Sequence, residues 1–146
     1  MPFLPNRRTF LASLPATALI GCSSQPKIVP VSGTVLIDGE LLTHGFVQVA
    51  PEGFRPATGK IGKDGRFTLT TLKLNDGCLP GTHPVAVIAT ETLGPGSQKW
   101  HAPRKYASND TSGLTATVSG PTNDLKIELT WDGGEPFVQS FSDVKE

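Results

Sequence analysis

The chain has 146 residues, with thirteen basic and thirteen acidic side chains and a formal net charge of zero. It therefore has no basic field to hold a nucleic acid, and its length suits one small domain. Sixteen glycines and thirteen prolines are scattered at turn-like intervals without a repeat, which excludes collagen-like and low-complexity chains and reads as loops between short elements.

At the start of the chain, Arg7 and Arg8 precede a short apolar run from Phe10 to Ile20, closed by Leu19-Ile20-Gly21-Cys22. A positive region, an apolar region too short to span a bilayer and a small residue before a cut are the three parts of an export signal. Pro15 and the lack of an amphipathic stripe oppose the alternative, a buried N-terminal helix. The tetrapeptide ending at Cys22 resembles a bacterial lipobox. That resemblance implies that residues 1–21 are a lipoprotein signal peptide, removed on export, and that Cys22 carries the lipid, a palmitate-type anchor to a membrane. Asn6-Arg7-Arg8-Thr9-Phe10-Leu11-Ala12 is also similar to a twin-arginine export motif, departing from it at Asn6 and Ala12. Paired arginines equally serve the general secretory route, and both routes stay open. Ser23 and Ser24 after the cysteine, with no aspartate, point by resemblance to sorted lipoproteins toward the outer membrane. Without Arg7 and Arg8 the mature chain holds eleven basic against thirteen acidic residues, a charge of −2.

Residues 22–30 are polar and proline-bearing, and read as a lipidated tether. Strands are then expected in order. Val31-Ser32-Gly33-Thr34-Val35-Leu36-Ile37 alternates and ends in the turn pair Asp38-Gly39. Residues 46–50 form a second strand, and the weaker residues 57–61 a third. After the Lys63-Asp64-Gly65 turn, residues 66–70 alternate with Phe67 and Leu69 on one face. Residues 83–90, 114–118 and 125–129 complete a set of seven. Pro84 cannot donate to a ladder and suits an edge or a bulge. Seven short strands with polar turns and no amphipathic helix predict an all-β chain, a seven-stranded antiparallel sandwich of immunoglobulin-like type, over residues 31–130. Residues 131–146 are a C-terminal tail. Its Trp131, Phe137 and Phe141 either add a strand, cover an edge or are disordered.

Val31-Ser32-Gly33-Thr34-Val35, Asp38-Gly39-Glu40-Leu41-Leu42, Asp64-Gly65-Arg66-Phe67-Thr68-Leu69 and Pro80-Gly81-Thr82-His83-Pro84-Val85 follow one another in an order that resembles the carboxypeptidase regulatory-like, transthyretin-like domain. His83 stands where that family often has tyrosine. With Ala102-Pro103-Arg104-Lys105-Tyr106 and the segment ending at Val118, the chain is similar to small lipoproteins abundant in planctomycete bacteria. The resemblance implies a fold and a location, and no chemistry.

The residues themselves suggest no reaction. His44, His83 and His101 lack metal-ligand spacing, no zinc-type cysteine pair occurs, and no G-x-S-x-G elbow is present. With Cys22 lipidated, Cys78 has no intrachain partner and reads as a small buried apolar residue. The expectation is a non-enzymatic protein without metal or cofactor. Residues 91–113 are long for a connection and hold Trp100, His101, Arg104, Lys105 and Tyr106. Aromatic rings beside cations can hold a glycan or a protein. The preferred reading is that Trp100 and Tyr106 instead staple this segment to the sandwich. The expected role is structural or interaction-based at the cell envelope, with a glycan- or protein-binding module and an accessory subunit of an envelope complex as alternatives.

Overall fold

The computed structural model of the protein describes Gly21 and residues 27–143. Residues 1–20 of the expected leader, Cys22 with its expected lipid, and residues 23–26 of the tether lie outside the described residues. Among the described residues, no helix is long and apolar enough to cross a membrane.

The fold is all-β. Its strands are β1 (Val31–Ile37), β2 (Glu40–Leu41), β3 (Phe46–Val49), β4 (Ala57–Lys60), β5 (Arg66–Thr68), β6 (Gly81–Ile88), β7 (Thr90–Gly94), β8 (Ser97–Trp100), β9 (Leu114–Val118), β10 (Thr122–Leu129) and β11 (Phe137–Ser140). Each of the seven expected segments falls on a strand. The count of seven is nevertheless too low, because β2, β7, β8 and β11 have little apolar alternation to announce them.

Three sheets result, and the first two share a core. In one, β1 is flanked on one side by β10 and on the other by β2 and β5. The second has the order β4-β3-β6-β9. Alternation sends Val31, Val35 and Ile37 inward from β1, and Ile127 and Leu129 inward from β10. They join Val47, Val49, Val85, Val87 and Val118 of the other sheet in one buried cluster. Each such side chain stabilises the fold by about 1.5–3 kcal/mol relative to exposure. A mutual bridge between Thr58 and Thr70 stitches the edge strand β4 to the chain leaving β5.

One pairing corrects the expected antiparallel arrangement. β1 and β10 run parallel, from Val31 opposite Thr122 to Ile37 opposite Leu129. Period-2 alternation marks which face is buried but carries no information on strand direction. Gly33 is required by this pairing. A Cβ there would overlap the carbonyl of Leu125, so only glycine lets the two backbones approach. The Asp38-Gly39 turn has positive φ at both residues, as a tight two-residue hairpin demands.

Pro84 is a second correction, since β6 is an interior strand rather than an edge. β3 ends at Val49, opposite Val85, and just beyond it the Ala50 N–H donates to the Pro84 carbonyl. Its missing N–H therefore faces a point where the ladder has already stopped. The tail does add a strand, because β11 pairs with β8. Cys78 is fully buried and bridged to Val29, and burial pushes its thiol pKa up.

Candidate functional site

The third sheet, ordered β11-β8-β7, occupies the region expected to be a long connection. β6 leaves its own sheet at Ile88, passes buried Ala89 and continues as β7, so the hairpin grows directly out of the sandwich. Gly94 and Gly96 have positive φ and reverse the chain into β8. The remainder is turns and bends around a short 3-10 helix, Arg104–Ala107.

Strand parity assigns the side chains of this sheet to two faces. Trp100 lies between Thr90 and Phe137, and Gln98 between Thr92 and Gln139. These six share one face. There the Trp100 indole N–H donates to Gln139 Oε1 at 3.0 Å, and the Gln98 amide donates to the same oxygen at 3.3 Å. The rings of Trp100 and Phe137 are 6.2 Å apart and nearly parallel, and the exposed Arg104 guanidinium lies 5.5 Å and 5.2 Å from their centres.

The opposite face carries Lys99 and its ladder partner Glu91, with His101 continuing the alternation just past β8. The His101 backbone N–H donates to the Ala89 carbonyl at 2.8 Å and so extends the ladder by one residue. Its ring Nε2 lies 2.8 Å from Glu91 Oε2. His44, from the connection between β2 and β3, stacks on the His101 ring with centres 4.2 Å apart and planes within 5°. His44 Nε2 is 3.9 Å from the same Glu91 oxygen, and its Nδ1 is 3.1 Å from Thr43 Oγ1. The hydrogen bond from His101, helped by the positive fields of His44 and Lys99, holds the Glu91 carboxyl below its ordinary range against partial desolvation. A cleft of about 310 Å³ opens beside the two rings, with Leu42, Trp131 and Pro136 among its walls.

The five expected contact residues therefore separate. Tyr106 is 4 % exposed and belongs to the core, as a staple would. Lys105 is exposed and pairs with Asp132 at 2.8 Å, which raises the lysine pKa and lowers that of the aspartate. Trp100 and Arg104 share the aromatic face, and His101 sits on the opposite one. Spacing along the chain gives the histidines no metal-ligand pattern. In space His44, Glu91 and His101 bring one ligand atom each to within 4.8 Å of one another. Their convergence depends on the β7–β8 hairpin and on a connection far earlier in sequence, so only the fold reveals it. His83 is elsewhere, its Nε2 2.9 Å from the Leu79 carbonyl. A depression of about 580 Å³ lies between β3, β4 and β5 and contains none of these residues.

Compared with known proteins, the chain matches no family model, no curated protein and no solved structure.

Proposed function

We propose that this is an exported lipoprotein, anchored to a membrane of the cell envelope through lipidated Cys22, whose transthyretin-like β-sandwich serves a non-catalytic structural or interaction role. The observation that carries the reading is the run from Arg7 to the Leu19-Ile20-Gly21-Cys22 lipobox. It is supported by how soon the domain begins afterwards: Val29 already bridges to Cys78. A single acyl chain binds a bilayer weakly, whereas the two or three chains of a processed lipoprotein anchor it firmly. The test is expression in a bacterial host with labelled palmitate, followed by membrane fractionation. Wild type should be labelled and membrane-bound, and Cys22→Ala should lose the label. An unlabelled wild type refutes the anchor.

The aromatic face favours a second reading, a glycan-binding module. Trp100 and Phe137 offer ring surface, and Gln98 and Gln139 offer amides beside it. Titration with envelope oligosaccharides should change tryptophan fluorescence in wild type and not in Trp100→Ala. No change in wild type removes this reading.

A further inference from the structure

We propose that His44, Glu91 and His101 form a binding site for a divalent first-row transition cation of zinc type, and that the bound ion clamps the β11-β8-β7 sheet to the sandwich. The inference is independent of the lipid anchor and of the aromatic face.

The donor set is the first argument. Two imidazoles and one carboxylate suit zinc and its neighbours rather than calcium or magnesium, which prefer oxygen. Geometry is the second. Ligand atoms around a tetrahedral zinc stand about 3.3 Å apart, given metal–ligand bonds of about 2.0–2.1 Å. The carboxylate oxygen now stands 2.8 Å from one imidazole nitrogen and 3.9 Å from the other, which brackets that separation. Closing on an ion requires the rings to turn out of their parallel stack, and His44, with 42 % of its side chain exposed, has room to do so.

The third argument is the support behind His44. With its Nδ1–H donated to Thr43 Oγ1, the ring keeps a lone pair on Nε2, the atom nearer Glu91. Metal-binding histidines are commonly oriented by such a bond from the other ring nitrogen. His101 becomes a ligand when its ring proton sits on Nδ1, leaving Nε2 free to exchange its carboxylate partner for the ion. Lys99, opposite Glu91 in the ladder, is a cation the metal must outcompete.

The clamp follows from where the ligands originate. Glu91 and His101 belong to the outlying hairpin, and His44 to the connection that enters β3 of the sandwich. An ion held by all three joins the two bodies at a point where they now share a ring stack and a half-exposed ion pair.

The test uses the full chain in detergent, without a histidine tag and stripped with chelator. Zinc is titrated by calorimetry and cobalt(II) by its visible absorption. Wild type should bind one equivalent saturably, with cobalt bands typical of four-coordinate nitrogen and oxygen ligation, and binding should fade as acid protonates the imidazoles. His101→Ala and Glu91→Gln should each weaken binding by more than about tenfold, and Thr43→Val by about tenfold. His83→Ala should leave it unchanged. Zinc should also slow amide exchange at Thr92 and Gln98. Far-UV circular dichroism confirms that each variant is folded. Absence of saturable binding in wild type, or affinity unaltered in His101→Ala, overturns the site. Binding without slower exchange in the hairpin overturns the clamp.

Discussion

The Tyr106 hydroxyl and the Thr130 backbone engage each other twice. The hydroxyl accepts from the Thr130 N–H at 3.1 Å and donates to the Thr130 carbonyl at 3.3 Å. One side chain thereby satisfies both backbone groups where β10 ends, and ties the short 3-10 helix to that point. Tyr106→Phe keeps the ring in the core but strands a part-buried N–H and carbonyl. The expected loss is about 1–2 kcal/mol, read as a lower urea midpoint at unchanged slope. An unchanged midpoint would mean that water replaces the hydroxyl without cost.

Lys105, one residue earlier, should behave in the opposite way. Its bond to Asp132 is short, but 46 % of the lysine side chain and 65 % of the aspartate side chain are exposed. Solvent screens exposed pairs of this kind, and they contribute little to stability. Lys105→Ala should therefore shift the urea midpoint less than Tyr106→Phe, and a larger shift would show that the pair organises the adjoining turn.

Gly33 is the tightest point of the parallel ladder described above. Gly33→Ala should push β10 away from β1 and cost about 3 kcal/mol, a fall in Tm of roughly 10 °C by thermal denaturation. A variant as stable as wild type would contradict the close approach of Leu125.

Asp76 carries the clearest pH dependence. Partial desolvation pulls its pKa up, but N–H donors from Thr71, Lys73 and Leu72 at 2.7–2.9 Å outweigh it and hold the pKa below 3.8. A depressed carboxylate pKa gives stability that is fully present above the unfolded value and is lost as pH falls through the folded one. Asp76→Ala should cost about 1–2 kcal/mol at neutral pH. The difference from wild type should shrink below the ordinary value of 3.8. Urea titrations across acid pH check this, and a pH-independent difference would assign the effect to packing.

Cys78 should resist thiol reagents in the folded protein, because it is fully buried and its thiolate is disfavoured. Peptide mapping after alkylation should find it modified only with denaturant present. Rapid native labelling would show that the Val29–Cys78 bridge opens readily.

The sequence made parts of the sandwich legible. Val31, Val35 and Ile37 alternate before a turn pair whose backbone angles only a few residues tolerate, so β1 and its turn could be placed directly. Phe67 did the same for β5. The outlying sheet was hidden because Thr92, Gln98, Gln139 and Ser140 form it through backbone pairing, with most of its side chains only half-buried. Its strands carry no sustained apolar alternation for periodicity to detect. Trp100 and His101, adjacent in sequence, looked like one binding cluster, but alternation places them on opposite faces. Glu91 was absent from the candidate residues because a lone carboxylate signals nothing until two imidazoles lie beside it.

The parallel pairing of β1 with β10 also fixes an order of events. As the chain emerges from its N-terminus, Val31, Val35 and Ile37 appear early, but their longest backbone partner is among the last segments to arrive. Contacts so distant along the chain form slowly. Until residues 122–129 arrive, one side of β1 remains an unpaired apolar edge, open to pairing with another copy. Truncation within β10 should therefore yield an aggregating product rather than a smaller folded domain, and a nascent chain must be kept apart from its own copies until its C-terminal third is made.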